Sequence, residues 1–173
     1  MTPRERFELY EKLYFHEIDR RDKLHARLNL PLVMLIGLLS FFGFLLSKAP
    51  TSSNYWLSIC FWSLYDCAFA LLMIAAWHFK QAWARGNYDY VLPVVSKIDE
   101  HRATLDKHYE GDEEQSRAEF ERVILNYYIR GATTNAENND TRNSELHSCS
   151  GYVIASFVLS LLSFIPLYLA SPN

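Results

Sequence analysis

The sequence predicts an all-α integral membrane protein, with three transmembrane helices and cytoplasmic helical extensions. Three observations predict it. Long apolar blocks alternate with strongly polar segments, so the mean hydropathy of −0.09 averages two unlike populations. Tyr and Trp gather at the ends of those blocks, where amphipathic rings favour the headgroup level. No segment shows the period-two alternation of a half-buried strand.

Residues 1–29 read as a cytoplasmic amphipathic helix. Thr2-Pro3 supplies a start, and Phe7, Tyr10, Tyr14 and Ile18 recur at helical spacing. The charged run from Asp19 to Lys23 follows, and Asn29 with Pro31 predicts a kink. Residues 30–77 form the expected transmembrane hairpin. Its first block, Leu30–Ser47, has 18 residues without a charge, about 27 Å of helix and close to the hydrocarbon thickness. Its second block, Tyr55–Trp77, has 23 residues with one charge, Asp66.

Residues 78–150 form the cytoplasmic helical region. The second span is expected to continue to Trp83, with Gly86-Asn87 as its stop. A connector ends at Pro93, a helix follows from about Val94 to Tyr109, and Gly111-Asp112 breaks it. The last helix is expected to start near Glu113, with Phe120, Ile124 and Tyr127 as its early apolar stripe. It is expected to run unbroken to about residue 170. Residues 151–173 contribute the third span, Gly151–Ala170, and a short external tail.

Lys and Arg set the orientation. Residues 1–29 carry seven, 48–54 one, 78–150 nine and 171–173 none. The expected multi-pass protein therefore has its N-terminus cytoplasmic and its C-terminus external. The polar N-terminal stretch does not read as a cleavable signal. A net charge of −3 argues against a general nucleic-acid binder.

Asp66 is the first site candidate. It is residue 12 of 23 in its block, and no span holds a Lys, Arg or His to neutralise it. It either lines a polar path in an oligomer or stays protonated and hydrogen-bonded between helices. Both readings turn it toward protein rather than lipid. The second candidate is the stretch 135–143, with four Asn and one Arg. Asn135, Asn138 or Asn139, and Arg142 share a helical face. Asn is a mediocre helix former, so this enrichment points to a polar interhelical layer or a solvated juxtamembrane face.

The third is Arg142-Asn143-Ser144-Glu145-Leu146-His147, an R-x4-H pattern of the HEPN-ribonuclease type. In it, Arg142 and His147 would bind phosphate and move protons. The alternative is a basic pair contacting headgroups at the membrane edge. The six His are accompanied by no HExxH or paired-Cys motif, so no metal site and no cofactor are expected. Cys60, Cys67 and Cys149 fit a reducing compartment without a disulfide.

The layout resembles the small helical membrane effectors of bacterial defence systems, including SLATT-type proteins. The resemblance rests on YFHEIDRRDKLHARLNLP, the hairpin, and NAENNDTRNSELH leading into a third span. RNSELH is also similar to an element of the membrane accessory proteins of type VI-B CRISPR systems. The third span departs from the SLATT pattern, which has two. The resemblance implies an oligomer that permeabilises or depolarises the membrane when triggered.

Three functions follow as expectations. The first is a non-enzymatic homo-oligomer in the lipid bilayer, a pore-forming or membrane-disrupting antiphage effector. The second is a membrane-tethered HEPN-like ribonuclease. The third is a structural or sensor subunit that recruits a cytoplasmic protein partner through residues 94–130.

Overall fold

Proline and glycine punctuate a chain that otherwise favours helix. The computed structural model is about nine-tenths helical, and no strand occurs among the described residues, 1–50, 55–85 and 89–170. Six helices follow in order: α1 Pro3–Arg27, α2 Asn29–Ser47, α3 Tyr55–Ala84, α4 Val95–His108, α5 Glu113–Leu162 and α6 Phe164–Ala170. The Gly86-Asn87 stop, most of the expected outer turn and the tail 171–173 lie outside the described residues.

Local chemistry accounts for the ends. Thr2 and Glu5 form a capping box: the Glu5 amide donates to Thr2 Oγ1 at 3.2 Å, and the Thr2 amide donates to Glu5 Oε2 at 2.8 Å. Two breaks fall four residues before a proline. Pro31 has no N–H to give the Arg27 carbonyl, and α1 ends at Arg27. Pro166 leaves the Leu162 carbonyl in the same position, and α5 ends there. The expected unbroken helix to residue 170 is therefore corrected: it is interrupted at Ser163. Gly111, at φ 96°, makes the left-handed turn between α4 and α5, and Asp112 Oδ1 caps α5 by accepting from the Gln115 amide at 3.0 Å.

The chain divides into two compact units. The first holds Met1–Lys23 and Arg85–Asp140. Its centre is aromatic. Tyr14 is buried, and its ring lies 5.6 Å from that of Tyr128. Phe7 meets Tyr128 edge-on at 5.6 Å. The early stripe of α5 is thus half-buried at Phe120, Ile124 and Tyr127, with Tyr128 taking the central place.

The second unit holds Leu24–Ala84 and Thr141–Asn173. Its main core joins Leu38 and Phe42 of α2, Ala68, Leu72 and Ala75 of α3, and Cys149 and Val153 of α5. Leu45, Phe61 and Leu167 make a further core. The small Ala68 and Ala75 let α3 approach closely, and Ser156 Oγ donates to the Ala68 carbonyl at 2.8 Å. Three helical stretches are long and apolar enough to cross a membrane: Pro3–Ser47, Tyr55–Ala84 and Glu113–Leu169.

Candidate functional site

An apolar helix can bury only one face against its neighbours. On α3 that face carries Phe61, Ala68, Leu72, Ala75 and Ala82. Asp66 stands off it and is exposed. Trp62, Ser63, Ala70 and Met73, at spacings of three, four and seven residues, are exposed beside it. Ser63 and Ala70 flank the carboxyl with small side chains. No hydrogen bond or ion pair to Asp66 forms among the described residues. The core of its own chain gives Asp66 no cover.

The Asn-rich stretch has the opposite environment. Asn135 and Asn139 are 0 % exposed and Asn138 is buried. Asn135 Oδ1 accepts from the Tyr90 amide at 2.7 Å, and Asn135 Nδ2 donates to the Tyr90 carbonyl at 3.0 Å. One side-chain amide thus satisfies both polar groups of a residue outside any helix. Asn139 Nδ2 donates to the carbonyl and to Oε2 of Glu17, at 2.9 and 3.0 Å. Nearby, Arg20 pairs with Asp140 and reaches Glu17 at 3.5 Å. The hydrogen bond from Arg20 to Asp140 is the main reason its guanidinium pKa lies above its ordinary value.

Two tyrosines complete this network. The Leu92 amide donates to Tyr14 Oη at 3.3 Å, and Tyr128 Oη donates to Glu11 Oε1 at 3.3 Å. Burial pushes the Tyr128 hydroxyl above its usual pKa, and the Glu11 charge adds to the shift. Tyr14, Tyr90 and Glu17 escape sequence reasoning because they lie 45 or more positions from their Asn or backbone partners. Gly131 is a signal for two of them: it sits inside α5, and a Cβ there would stand 2.6 Å from the Tyr14 ring and 3.1 Å from the Tyr90 ring.

Arg142 and His147, the R-x4-H pair, differ in exposure. Arg142 is 0 % exposed, whereas His147 is exposed. Five positions along a helix rotate a side chain by about 140°, so one face cannot present both. His147 instead opens into a crevice with Arg27 and Asn143.

His78 Nδ1 lies 2.7 Å from Glu145 Oε2, and its ring stacks on Tyr152 at 5.3 Å. Both interactions are structural pairings within the second unit. Cys60 and Cys67 are free and exposed, and Cys149 is free and buried. Among the described residues no group of three His, Cys, Asp or Glu side chains could hold a metal ion. Comparison with protein-family models, curated proteins and solved structures returned no match to this chain.

Proposed function

We propose that the chain is a non-enzymatic integral membrane protein that assembles with further copies of itself through the face of α3 around Asp66. The observation that carries this reading is the exposed carboxyl among apolar and small side chains halfway along a span-length helix. Facing lipid, that group costs about 2.5–3.5 kcal/mol. Covered by the same face of another copy, it gains a hydrogen-bonding partner. Ser63 and Ala70 leave room for the close approach that helix pairing in lipid needs. The N-terminus lies in the cytoplasm, and the assembly permeabilises the inner membrane, as the likeness to small defence effectors implies. The buried Arg142 gives the ribonuclease alternative no support.

The test is the mass of the protein in nanodiscs, corrected for lipid, beside dye release from vesicles. The wild-type chain is expected to be a defined oligomer that releases dye. Asp66→Leu is expected to give monomers and lose release. Asp66→Asn keeps a hydrogen-bonding side chain and is expected to assemble. A monomeric wild type, or an Asp66→Leu variant that assembles and releases dye unchanged, would overturn the proposal.

A further inference from the structure

Two of the places where polar and apolar stretches meet in the second unit share a crevice. Arg27 stands three residues before Leu30, where the first apolar block opens, and His147 stands four before Gly151, where the third opens. Both line a crevice of about 410 Å³ with Asn143, Ser150 and the apolar Leu30, Pro31 and Leu146. No acidic side chain lines it. Arg27, His147 and Asn143 are exposed, and none has a side-chain hydrogen bond or ion pair among the described residues. Ser150 donates its hydroxyl proton to the Leu146 carbonyl at 2.9 Å and presents only an acceptor.

Three uncommitted side chains with N–H donors over an apolar floor match one chemistry. A phosphate takes the planar fork of Arg27 and the donors of His147 and Asn143. An apolar tail attached to that phosphate meets Leu30, which lines the crevice and is exposed, and Ile154, one turn beyond Ser150 on α5, is exposed as well. A free anion uses only the upper half of this surface, whereas a lipid uses all of it. Pro31 lines the crevice itself and, having no N–H, leaves the Arg27 carbonyl beside it without a helical donor.

We propose that the Arg27–Asn143–His147 crevice is a binding site for the phosphate of an anionic phospholipid. The proposal rests on the membrane reading above. It does not require self-association.

The experiment is native mass spectrometry of the full chain, purified in detergent and exchanged against phosphatidylglycerol or phosphatidylcholine. Phosphatidylglycerol is expected to stay bound more tightly than phosphatidylcholine. Arg27→Gln with His147→Gln is expected to weaken its retention by about tenfold, the size of lost charge-assisted hydrogen bonds. His25→Gln, which removes a neighbouring His outside the crevice, is expected to change nothing. Circular dichroism checks that each variant keeps its helix content.

Equal retention by the double variant overturns the site. So does displacement of the lipid by inorganic phosphate at matched concentration, which would show a free-anion site. The same preparations are tested for resistance to carbonate extraction. A chain that stays in the membrane but keeps lipid equally after the double substitution fails the site alone. A chain that is extracted fails the membrane reading as well.

Discussion

The two units solve the same problem with different chemistry. The first, Met1–Lys23 with Arg85–Asp140, is held by polar groups satisfied in pairs: Asn135 with Tyr90, Asn139 with Glu17, Tyr128 with Glu11. The second, Leu24–Ala84 with Thr141–Asn173, is held by fitted shapes: Phe42 against Tyr65 and Phe69, with Ala68 and Ala75 where α3 packs closely. The difference teaches what each environment rewards. Where water competes, burying an unpaired amide is costly, and each buried Asn has partners. On the membrane reading proposed above, lipid surrounds the helices of the second unit, burial of apolar surface drives little, and close packing is what remains.

The largest expected effect breaks the second unit. Phe42 is 1 % exposed and meets two rings edge-on, at 5.2 and 5.6 Å. Phe42→Ala leaves a ring-sized void, and a loss of about 3–5 kcal/mol is expected. Thermal unfolding in detergent measures it, and a change below about 1 kcal/mol would mean that shape does not hold this unit. The next effect breaks the first unit. Gly131→Val forces a Cβ onto a Tyr14 ring that packs against Tyr128 and Phe15 and cannot yield freely. The expected cost is about 1–3 kcal/mol. The helix-propensity gain over glycine is well under about 1 kcal/mol and does not offset it. Proteolysis between residues 89 and 94 reports the loss, and unchanged resistance would sink the expectation.

The smallest effect sharpens the contrast. Ser156→Ala removes the buried hydrogen bond to the Ala68 carbonyl, yet the loss is expected to be only about 0.6 kcal/mol, the average for such bonds between membrane helices. A loss of several kcal/mol in the same detergent melt would show that polar pairing rules the second unit too.

The helices were largely legible in the sequence because their limits are set locally. Long apolar blocks gave the span-length helices, and Pro31 and Gly111 gave breaks where helices stop. Pro166 carried the same information as Pro31 but sits inside an apolar run, so its break at Ser163 was hidden by hydropathy. The site was less legible. The Asn-rich stretch announces an interior layer, because Asn is wasteful on a helix unless it bonds. Its partners, Glu17 and Tyr90, depend on distant pairing that no local pattern carries. Asp66 shows the deeper limit: the rest of the block Tyr55–Trp77 is uncharged on every side, so no periodicity in the sequence tells which face meets its own chain. The structure turns Asp66 away from that core, and Arg142 away from His147.

The two-bond clasp of Asn135 on Tyr90 has a consequence in time. Tyr90 belongs to no helix, and such an amide ordinarily trades its proton with solvent quickly. Here the amide nitrogen lies 2.7 Å from Oδ1 of a side chain with no exposure, which holds its proton. Its replacement by deuterium must wait until the clasp opens. A residue in a connector therefore keeps the slow clock of a buried helix, and its exchange rate reads how often the first unit lets go.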